Sequence, residues 1–336
     1  MNPASVMKLI TTSAGLSMLG PDFTWRNRVF VDGPVKDGVL YGNLYLKGSG
    51  DPKLVVERLQ TLIDEVLQKG LGEVRGDIIL DGSVFDLPEK NPASFDDEPL
   101  RPYNVGPDGL LLNFKAVVYK FTPDAASGQV QVRFEPPLAG FSAPTQLPLS
   151  QAPCSDWRRQ LQADFSQAQQ VRFAGRYPAS CGEREWPVAY PEPEAYAPRV
   201  MQALWQQAGG QLTGQVRYGT RPASAKLLLE APSLPLSDII QDINKFSNNV
   251  MAQQLYLTLS SELGAPGRFE ASRLRLSQWW RQGFAGHDEP VLDNGSGLSR
   301  TERSTAQALT ALLQAAHTSP HARHFVNSLA IAGVDG

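Results

Sequence analysis

Hydrophobic positions in the first 90 residues alternate between helical and strand-like patterns. In the first segment they recur at helical spacing, at Val6, Leu9, Ile10 and Leu16. This spacing predicts a helix over residues 2–19, which Gly20 and Pro21 would end. Residues 28–32 and 39–47 are rich in strand formers, and a helix reaching residue 69 precedes another strand at 77–81. Together these elements predict a strand–helix–strand unit.

The second helix is expected to begin at Asp51, as its N-cap, with Pro52 in the first helical position. The preceding Gly48-Ser49-Gly50 lacks the third glycine of a dinucleotide-binding fingerprint. We therefore interpret it as a plain strand-to-helix turn.

The middle of the chain has a different composition and pattern. From residue 92 prolines become frequent, and apolar and polar residues alternate over 115–122 and 129–135, as in short antiparallel strands. A helix at 195–207 and a strand at 215–218 then repeat the first unit, which indicates one αβ domain interrupted by a β-rich insert. After residue 235 the pattern predicts helices, at 237–246, 249–263, 268–282 and 305–316.

Composition narrows the class of protein. A chain of 336 residues favours two or three domains. The formal net charge of −3 argues against nucleic-acid binding through a basic surface. No apolar run approaches the roughly 20 residues of a transmembrane helix. The first residues lack the charged start and apolar stretch of a secretory signal, so no signal peptide is predicted in this chain.

Ser5 and Lys8 form the first candidate catalytic pair. Residues three apart share a helical face, so the hydroxyl and the amine can meet. A lysine kept neutral by burial can act as the base that a serine nucleophile needs. The alternative is a helix-starting serine beside a solvated lysine, and the pair alone leaves both interpretations open.

Ser247 and Asn249 form a second candidate motif, between two predicted helices. There Ser247 could relay a proton and Asn249 could hold a substrate amide. The alternative is that a serine or asparagine of Ser247-Asn248-Asn249 caps the following helix. Residues 293–300 (DNGSGLSR) indicate only a tight loop.

The cysteines and the histidines each leave two interpretations open. Cys154 and Cys181 could form a disulfide in an oxidising compartment or remain free thiols. A third group, spaced like metal ligands, is His317, His321 and His324. Because Pro320 interrupts the helix that would align the first two rings, we expect no metal there and a solvated loop between helices.

Taken together, the motifs resemble a known family. Ser-x-x-Lys and Ser-x-Asn are two of three signatures of penicillin-binding proteins and serine β-lactamases. Six short sequence motifs occur in the same order as in one group of this family: PASVMKL, GPDF, DP, SNN, GSGLSR and AGVDG. The chain thus resembles the penicillin-binding protein 4-type D-Ala-D-Ala carboxypeptidases and endopeptidases over nearly its whole length. The long insert between the two signatures is typical of this group.

The resemblance implies roles for four residues. Ser5 would attack the D-Ala-D-Ala carbonyl, Lys8 would take its proton, Ser247 would help protonate the leaving D-alanine, and Asn249 would hold the substrate backbone. It also implies peptidoglycan stem peptides as substrates, β-lactams as covalent inhibitors, no metal or cofactor, and a periplasmic location. A periplasmic location in turn favours a disulfide between Cys154 and Cys181.

The fold implied by the resemblance is α+β and multidomain. A β-lactamase/transpeptidase-like catalytic domain would be split between residues 1–28 and 232–336. An αβ domain at 29–92 and 194–231 would interrupt it, and would itself carry the β-rich insert at 93–193.

One part of the family pattern is missing. No Lys-Thr-Gly motif occurs, and no lysine follows Lys245. In the family, the Lys-Thr-Gly motif follows AGVDG, and two strands of the catalytic sheet precede the Ser-x-x-Lys helix. Neither is found in this sequence. We therefore expect a chain truncated at both ends, with most of the catalytic sheet missing. The alternative function is a catalytically impaired fragment, or a non-catalytic relative that binds peptidoglycan or a protein. A preference between carboxypeptidase and endopeptidase activity is left open.

Overall fold

The computed structural model describes residues 1–335, and in this part of the chain five of the nine α-helices follow the last strand, which ends at Pro232. The α-helices of this part of the chain are α1 (Met7–Leu19), α2 (Val56–Gln68), α3 (Trp157–Gln160), α4 (Pro193–Gln207), α5 (Leu236–Lys245), α6 (Asn249–Ser261), α7 (Phe269–Gly283), α8 (Ala306–Thr318) and α9 (Ala322–Ser328). Several short 3₁₀ turns accompany them, at Ala4–Val6, Pro102–Asn104, Asn113–Lys115 and Ala179–Cys181.

The strands fall into several sheets. They are β1 (Arg26–Val31), β2 (Val35–Lys36), β3 (Val39–Leu40), β4 (Leu44–Lys47), β5 (Glu73–Val74), β6 (Ile78–Asp81), β7 (Ala116–Asp124), β8 (Gln129–Glu135), β9 (Gln146–Ser150), β10 (Ala163–Gln167), β11 (Gln170–Phe173), β12 (Tyr177–Pro178), β13 (Arg184–Ala189), β14 (Gln211–Leu212), β15 (Val216–Tyr218) and β16 (Lys226–Pro232). Helices and strands are thus largely segregated along the chain, and the predicted α+β class is confirmed.

Strands from before and after the middle segment form one mixed sheet, in the order β15-β6-β4-β1-β16. β4, β6 and β15 run parallel, whereas β1 pairs antiparallel with β4 and β16. α2 packs its apolar face into the core of this region, through Leu59, Leu62, Ile63 and Val66. Because β4 and β6 are parallel neighbours and α2 connects them, these three elements form the predicted strand–helix–strand unit. A smaller sheet has the order β14-β5-β3-β2.

The middle segment forms its own sheet, in the order β12-β9-β8-β7-β13. Alternate residues of β7 point into an aromatic core, where Phe121 stacks on Tyr177 with ring centroids 5.4 Å apart. Cys154 and Cys181 are joined by a disulfide, with their Cα atoms 4.8 Å apart. The boundaries of the three predicted modules nevertheless remain a prediction.

The helical part packs around α6, in which every residue except Ser261 is buried. α1 lies against α6 through Met7, Ile10 and Ala14, and α5 contributes a second apolar layer. A helix buried on all sides requires neighbours on every face. The first residues of α1 and α6 are thereby brought together, although more than 240 residues separate them in sequence.

The N-cap predicted at Asp51 is wrong. α2 begins only at Val56, and Asp51 is a buried carboxylate that accepts hydrogen bonds from Asn27 Nδ2 (2.9 Å) and Arg58 Nη1 (2.8 Å). Because a buried carboxylate needs charged or polar partners, Asp51 stays in the loop before α2, where its Oδ1 also accepts from the backbone N–H of Lys53 (2.9 Å).

Two elements of the C-terminal half also depart from expectation. The sequence pattern left out β16, which pairs with β1, and α9. The loop expected around the three histidines is therefore wrong in part, since His317 belongs to α8 and His324 to α9.

Removing the disulfide should destabilise the protein. The bridge closes a loop over a sequence separation of 27 residues, and constraining an unfolded chain over such a loop contributes about 3 kcal/mol. Replacing both Cys154 and Cys181 by alanine should lower the free energy of unfolding in urea by about that amount. The unchanged protein treated with dithiothreitol provides the matched control and should unfold like the variant. Equal stability of the oxidised protein and the variant would contradict the prediction.

Candidate active site

Ser5 lies in the 3₁₀ turn Ala4–Val6, immediately before α1. Its side chain is exposed, whereas Lys8, in the first turn of α1, is 2% exposed. Ala4 takes a left-handed φ of +48°, a backbone conformation that non-glycine residues rarely adopt outside functional or tightly packed sites. The turn therefore presents a hydroxyl to solvent directly above a buried amine.

The Lys8 ammonium has three acceptors in its immediate surroundings. Nζ lies 3.2 Å from Ser5 Oγ, 2.6 Å from Asn249 Oδ1 and 2.5 Å from the carbonyl oxygen of Ser296. Because an ammonium has three protons to donate, the protonated side chain is fully satisfied. A neutral amine could keep the two shorter bonds and direct its lone pair towards the Ser5 hydroxyl.

The electrostatic environment favours that neutral form. Burial lowers the pKa of Lys8 to about 8, and the negative charge of Glu302 opposes part of this shift. At pH 7 roughly one molecule in ten then carries the neutral amine. The amine is thus available as a base near physiological pH, which an unperturbed lysine is not.

Ser247 and Asn249 follow α5 and complete the same cluster. Ser247 has a left-handed φ of +53°, and its Oγ donates a hydrogen bond to Ser5 Oγ over 2.7 Å. Asn248 is the residue that caps α6, since its side chain accepts from the backbone N–H of Met251. The helix cap in this motif is therefore Asn248, the middle residue. Ser247 and Asn249 face Ser5 and Lys8.

Asn249 links the site to the middle segment of the chain. Its Nδ2 donates to the backbone carbonyl of Tyr103 over 3.1 Å, while its Oδ1 accepts from Lys8. Arg300 makes a second link to the middle segment, since it donates to the carbonyl of Phe95 and lies over the Phe95 ring. A primary amide has a second N–H, so Asn249 retains one donor for a bound molecule.

The structure adds groups that sequence reasoning missed. The backbone carbonyl of Ser296 accepts a hydrogen bond from Lys8. Because every residue has such a carbonyl, no sequence motif could have indicated this contact. Glu302 is fully buried and accepts hydrogen bonds from backbone N–H groups of the loop at 293–297. A glutamate just beyond a Gly/Ser-rich loop with many free N–H groups is the signal that could have indicated this contact.

The arrangement is suited to acyl transfer. The exposed Ser5 hydroxyl lies within hydrogen-bonding distance of a buried amine of lowered pKa and of a second hydroxyl. Such a nucleophile–base pair with a further proton donor matches the geometry of covalent catalysis by serine. The roles of Ser5, Lys8, Ser247 and Asn249 remain predictions.

Two features, a metal-ligand cluster and a membrane-spanning helix, are absent from the described part of the chain. Within residues 1–335 no three His, Cys, Asp or Glu side chains come together as a metal site would require. None of the helices in that part of the chain has the length and apolar composition of a membrane span.

Comparison with curated proteins finds relatives over almost the whole chain. D-alanyl-D-alanine carboxypeptidase DacB of Haemophilus influenzae is 24% identical over 344 residues, covering 99% of this chain and 70% of the relative. The D-alanyl-D-alanine carboxypeptidase of an Actinomadura species is 27% identical over 354 residues, covering 98% of this chain and 63% of the relative. The chain therefore spans about two thirds of the length of these relatives.

Solved structures show the same likeness in fold. The crystal structure of penicillin-binding protein 4 from Haemophilus influenzae matches with a TM-score of 0.78 and 22% identity, covering 100% of this chain and 74% of that one. A structure of the same protein complexed with a β-lactam matches with a TM-score of 0.73 at 22% identity, covering 100% and 73%.

A sequence profile gives the family directly. The profile described as the D-Ala-D-Ala carboxypeptidase 3 (S13) family matches residues 1–336. It agrees with the resemblance inferred from the Ser-x-x-Lys and Ser-x-Asn motifs, which is thereby confirmed. This chain belongs to the D-Ala-D-Ala carboxypeptidase 3 (S13) family of serine peptidases.

Proposed function

We propose that this protein is a serine carboxypeptidase that hydrolyses the terminal D-Ala-D-Ala bond of peptidoglycan stem peptides. The observation that carries the proposal is the position of Lys8, whose Nζ contacts both Ser5 Oγ and Asn249 Oδ1. Motifs 241 residues apart thus converge on one amine. If Ser5 only began a helix and Lys8 were solvated, this convergence would not be expected.

In the first half of the reaction, Ser5 Oγ attacks the carbonyl carbon of the scissile bond and Lys8 takes the hydroxyl proton. The C–N bond then breaks, and Lys8 returns its proton, through the Ser247 hydroxyl, to the amine of the departing D-alanine, so that Lys8 is neutral again. The product is an ester between Ser5 and the shortened peptide. Ser247 Oγ lies 2.7 Å from Ser5 Oγ, so its hydroxyl is beside the bond that breaks.

In the second half, a water molecule attacks the ester carbonyl and gives its proton to the amine of Lys8. The bond to Ser5 Oγ breaks, Ser5 regains a proton, and the peptide leaves as a carboxylate. Asn249, with its remaining N–H, holds the backbone of the substrate beside the reacting bond.

The same chemistry accounts for proposed inhibition by β-lactams. Ser5 opens the lactam ring and forms an ester that keeps its leaving group attached. We place the protein in the periplasm, where peptidoglycan peptides occur and where the disulfide between Cys154 and Cys181 is stable. A split catalytic domain, at residues 1–28 and 232–336, belongs to the same proposal.

Covalent labelling tests the function directly. A fluorescent penicillin should remain attached after denaturation, and mass spectrometry should place the adduct in the tryptic peptide of residues 1–8, in which Ser5 is the one serine. Preincubation with unlabelled penicillin should abolish the signal. A protein that shows a cooperative melting transition but takes up no label would overturn the proposal and favour the non-catalytic alternative.

A further inference from the structure

The loop at residues 293–297 is attached to α1 beside the catalytic pair. The carbonyl of Ser296 accepts from Lys8 over 2.5 Å, and the carbonyl of Gly295 accepts from Thr11 Oγ1 over 2.6 Å. Both side chains belong to the first two turns of α1. The position of this loop therefore sets the position of the Lys8 amine.

The same loop lies directly against the turn that carries Ser5. Gly297 has a φ of +84°, and a Cβ built on it would lie 1.9 Å from the carbonyl oxygen of Ala4. Only a glycine permits so close an approach. The loop thus supports Ser5 and Lys8 at the same time, the first through backbone packing and the second through a hydrogen bond.

One side chain holds this loop together from behind. Oε1 of Glu302 accepts from the backbone N–H groups of Asp293 (3.2 Å), Asn294 (3.2 Å) and Gly295 (2.9 Å), and Oε2 accepts from that of Gly297 (2.8 Å). Glu302 is 0% exposed, so water cannot substitute for it. Without this carboxylate, buried donors of the loop would lose their partner.

We propose that Glu302 is a positioning residue for the reaction proposed above, on which this inference rests. It touches neither Ser5 nor Lys8 through a hydrogen bond of its own. Its carboxylate fixes the loop whose Ser296 carbonyl orients the amine and whose Gly297 backbone supports the nucleophile turn. The charge of Glu302 also acts on Lys8 through space.

That charge has a definite direction of effect. Burial lowers the pKa of Lys8 and the negative charge of Glu302 opposes this shift, so removing the charge should lower the pKa further. Other charged or titratable groups on the elements around the pair are Asp293 on the loop, Arg273 on α7, Tyr256 on α6, and Lys245 on α5, which is paired with Asp335. α8 faces α1 with apolar side chains.

The test compares acylation by a labelled penicillin as a function of pH in the unchanged protein and in Glu302→Gln. A glutamine keeps one acceptor oxygen and presents an NH₂ group to the remaining backbone donor, so the loop loses a contact. We expect the acylation rate to fall about ten- to hundredfold and the midpoint of its pH profile to move to lower pH. Glu302→Asp, which retains the charge, should keep the midpoint near that of the unchanged protein.

Glu270→Gln, which removes an exposed carboxylate from α7, is the matched control and should alter neither rate nor midpoint. An unaltered rate and midpoint in Glu302→Gln would overturn the inference. So would a slower rate with an unmoved midpoint, because general loosening of the fold produces that result. Failure of both Glu302 variants to show a melting transition would also overturn it, by assigning Glu302 to the stability of the core. If the unchanged protein is not acylated, the proposed function itself fails, and this role with it.

Discussion

Replacing Ser5 by alanine should abolish covalent labelling by penicillin and reduce release of D-alanine from a pentapeptide by on the order of 10⁶-fold. Without Oγ there is no atom on which an acyl group can be held. Ser247, whose hydroxyl is bonded to Ser5 Oγ, cannot replace it, because the Lys8 amine is directed at Ser5. Gel fluorescence after denaturation measures the first effect, and a D-alanine assay measures the second.

Ser13→Ala is the matched control for this experiment. Ser13 lies on α1 and is half-buried, so its loss tests the effect of removing a hydroxyl from the same helix. This variant should label like the unchanged protein. Persistent labelling of Ser5→Ala would contradict the role assigned to Ser5, and the labelled peptide would then identify the actual nucleophile.

Replacing Lys8 by methionine should slow acylation by about 10²–10⁴-fold, the range expected for loss of a general base. The methionine side chain has a similar length but cannot accept the Ser5 proton. The variant should still show a cooperative melting transition, because removal of a buried charge offsets part of the loss of the hydrogen bonds to Asn249 and Ser296. Stopped-flow acylation with a chromogenic cephalosporin measures the rate.

The pH dependence of acylation separates a base from a merely structural lysine. The pKa of Lys8 is lowered to about 8, and only the deprotonated amine can take a proton. The rate of the unchanged protein should therefore rise as the pH increases through about 8 and level off above it. Lys8→Met should lack this rise, whereas Lys36→Met, which removes an exposed lysine from β2, should retain it. A rise that persists in Lys8→Met would assign the titration to another group.

The meeting of Ser5 with Lys8 could be predicted from the sequence because it depends on local geometry alone. Residues three apart lie on one face of a helical turn, and the structure places their reactive atoms 3.2 Å apart. The approach of Ser247 and Asn249 has a different origin. It depends on how α6 packs against α1, and only the resemblance to a family supplied that expectation.

Features determined by buried side-chain contacts could not be predicted from the sequence pattern. Asp51 has every local attribute of an N-cap, yet Asn27 and Arg58 bind its carboxylate and the helix begins at Val56. Glu302 accepts from backbone N–H groups five to nine residues before it in the sequence. The Gly/Ser-rich loop indicates donors in need of a partner, but it does not identify the side chain that binds them. In both cases a buried carboxylate gains more from several hydrogen bonds than from a local preference.

The burial of α6 ties the catalytic cluster to the most protected part of the fold. Since every residue of α6 except Ser261 is shielded from water, this helix cannot open without separating its neighbours, and its amide hydrogens exchange only in such large openings. Asn249, its first residue, bonds to Lys8 from this rigid base. Local fraying of the protein surface, which is frequent in native proteins, therefore does not separate the Lys8 amine from the Asn249 side chain.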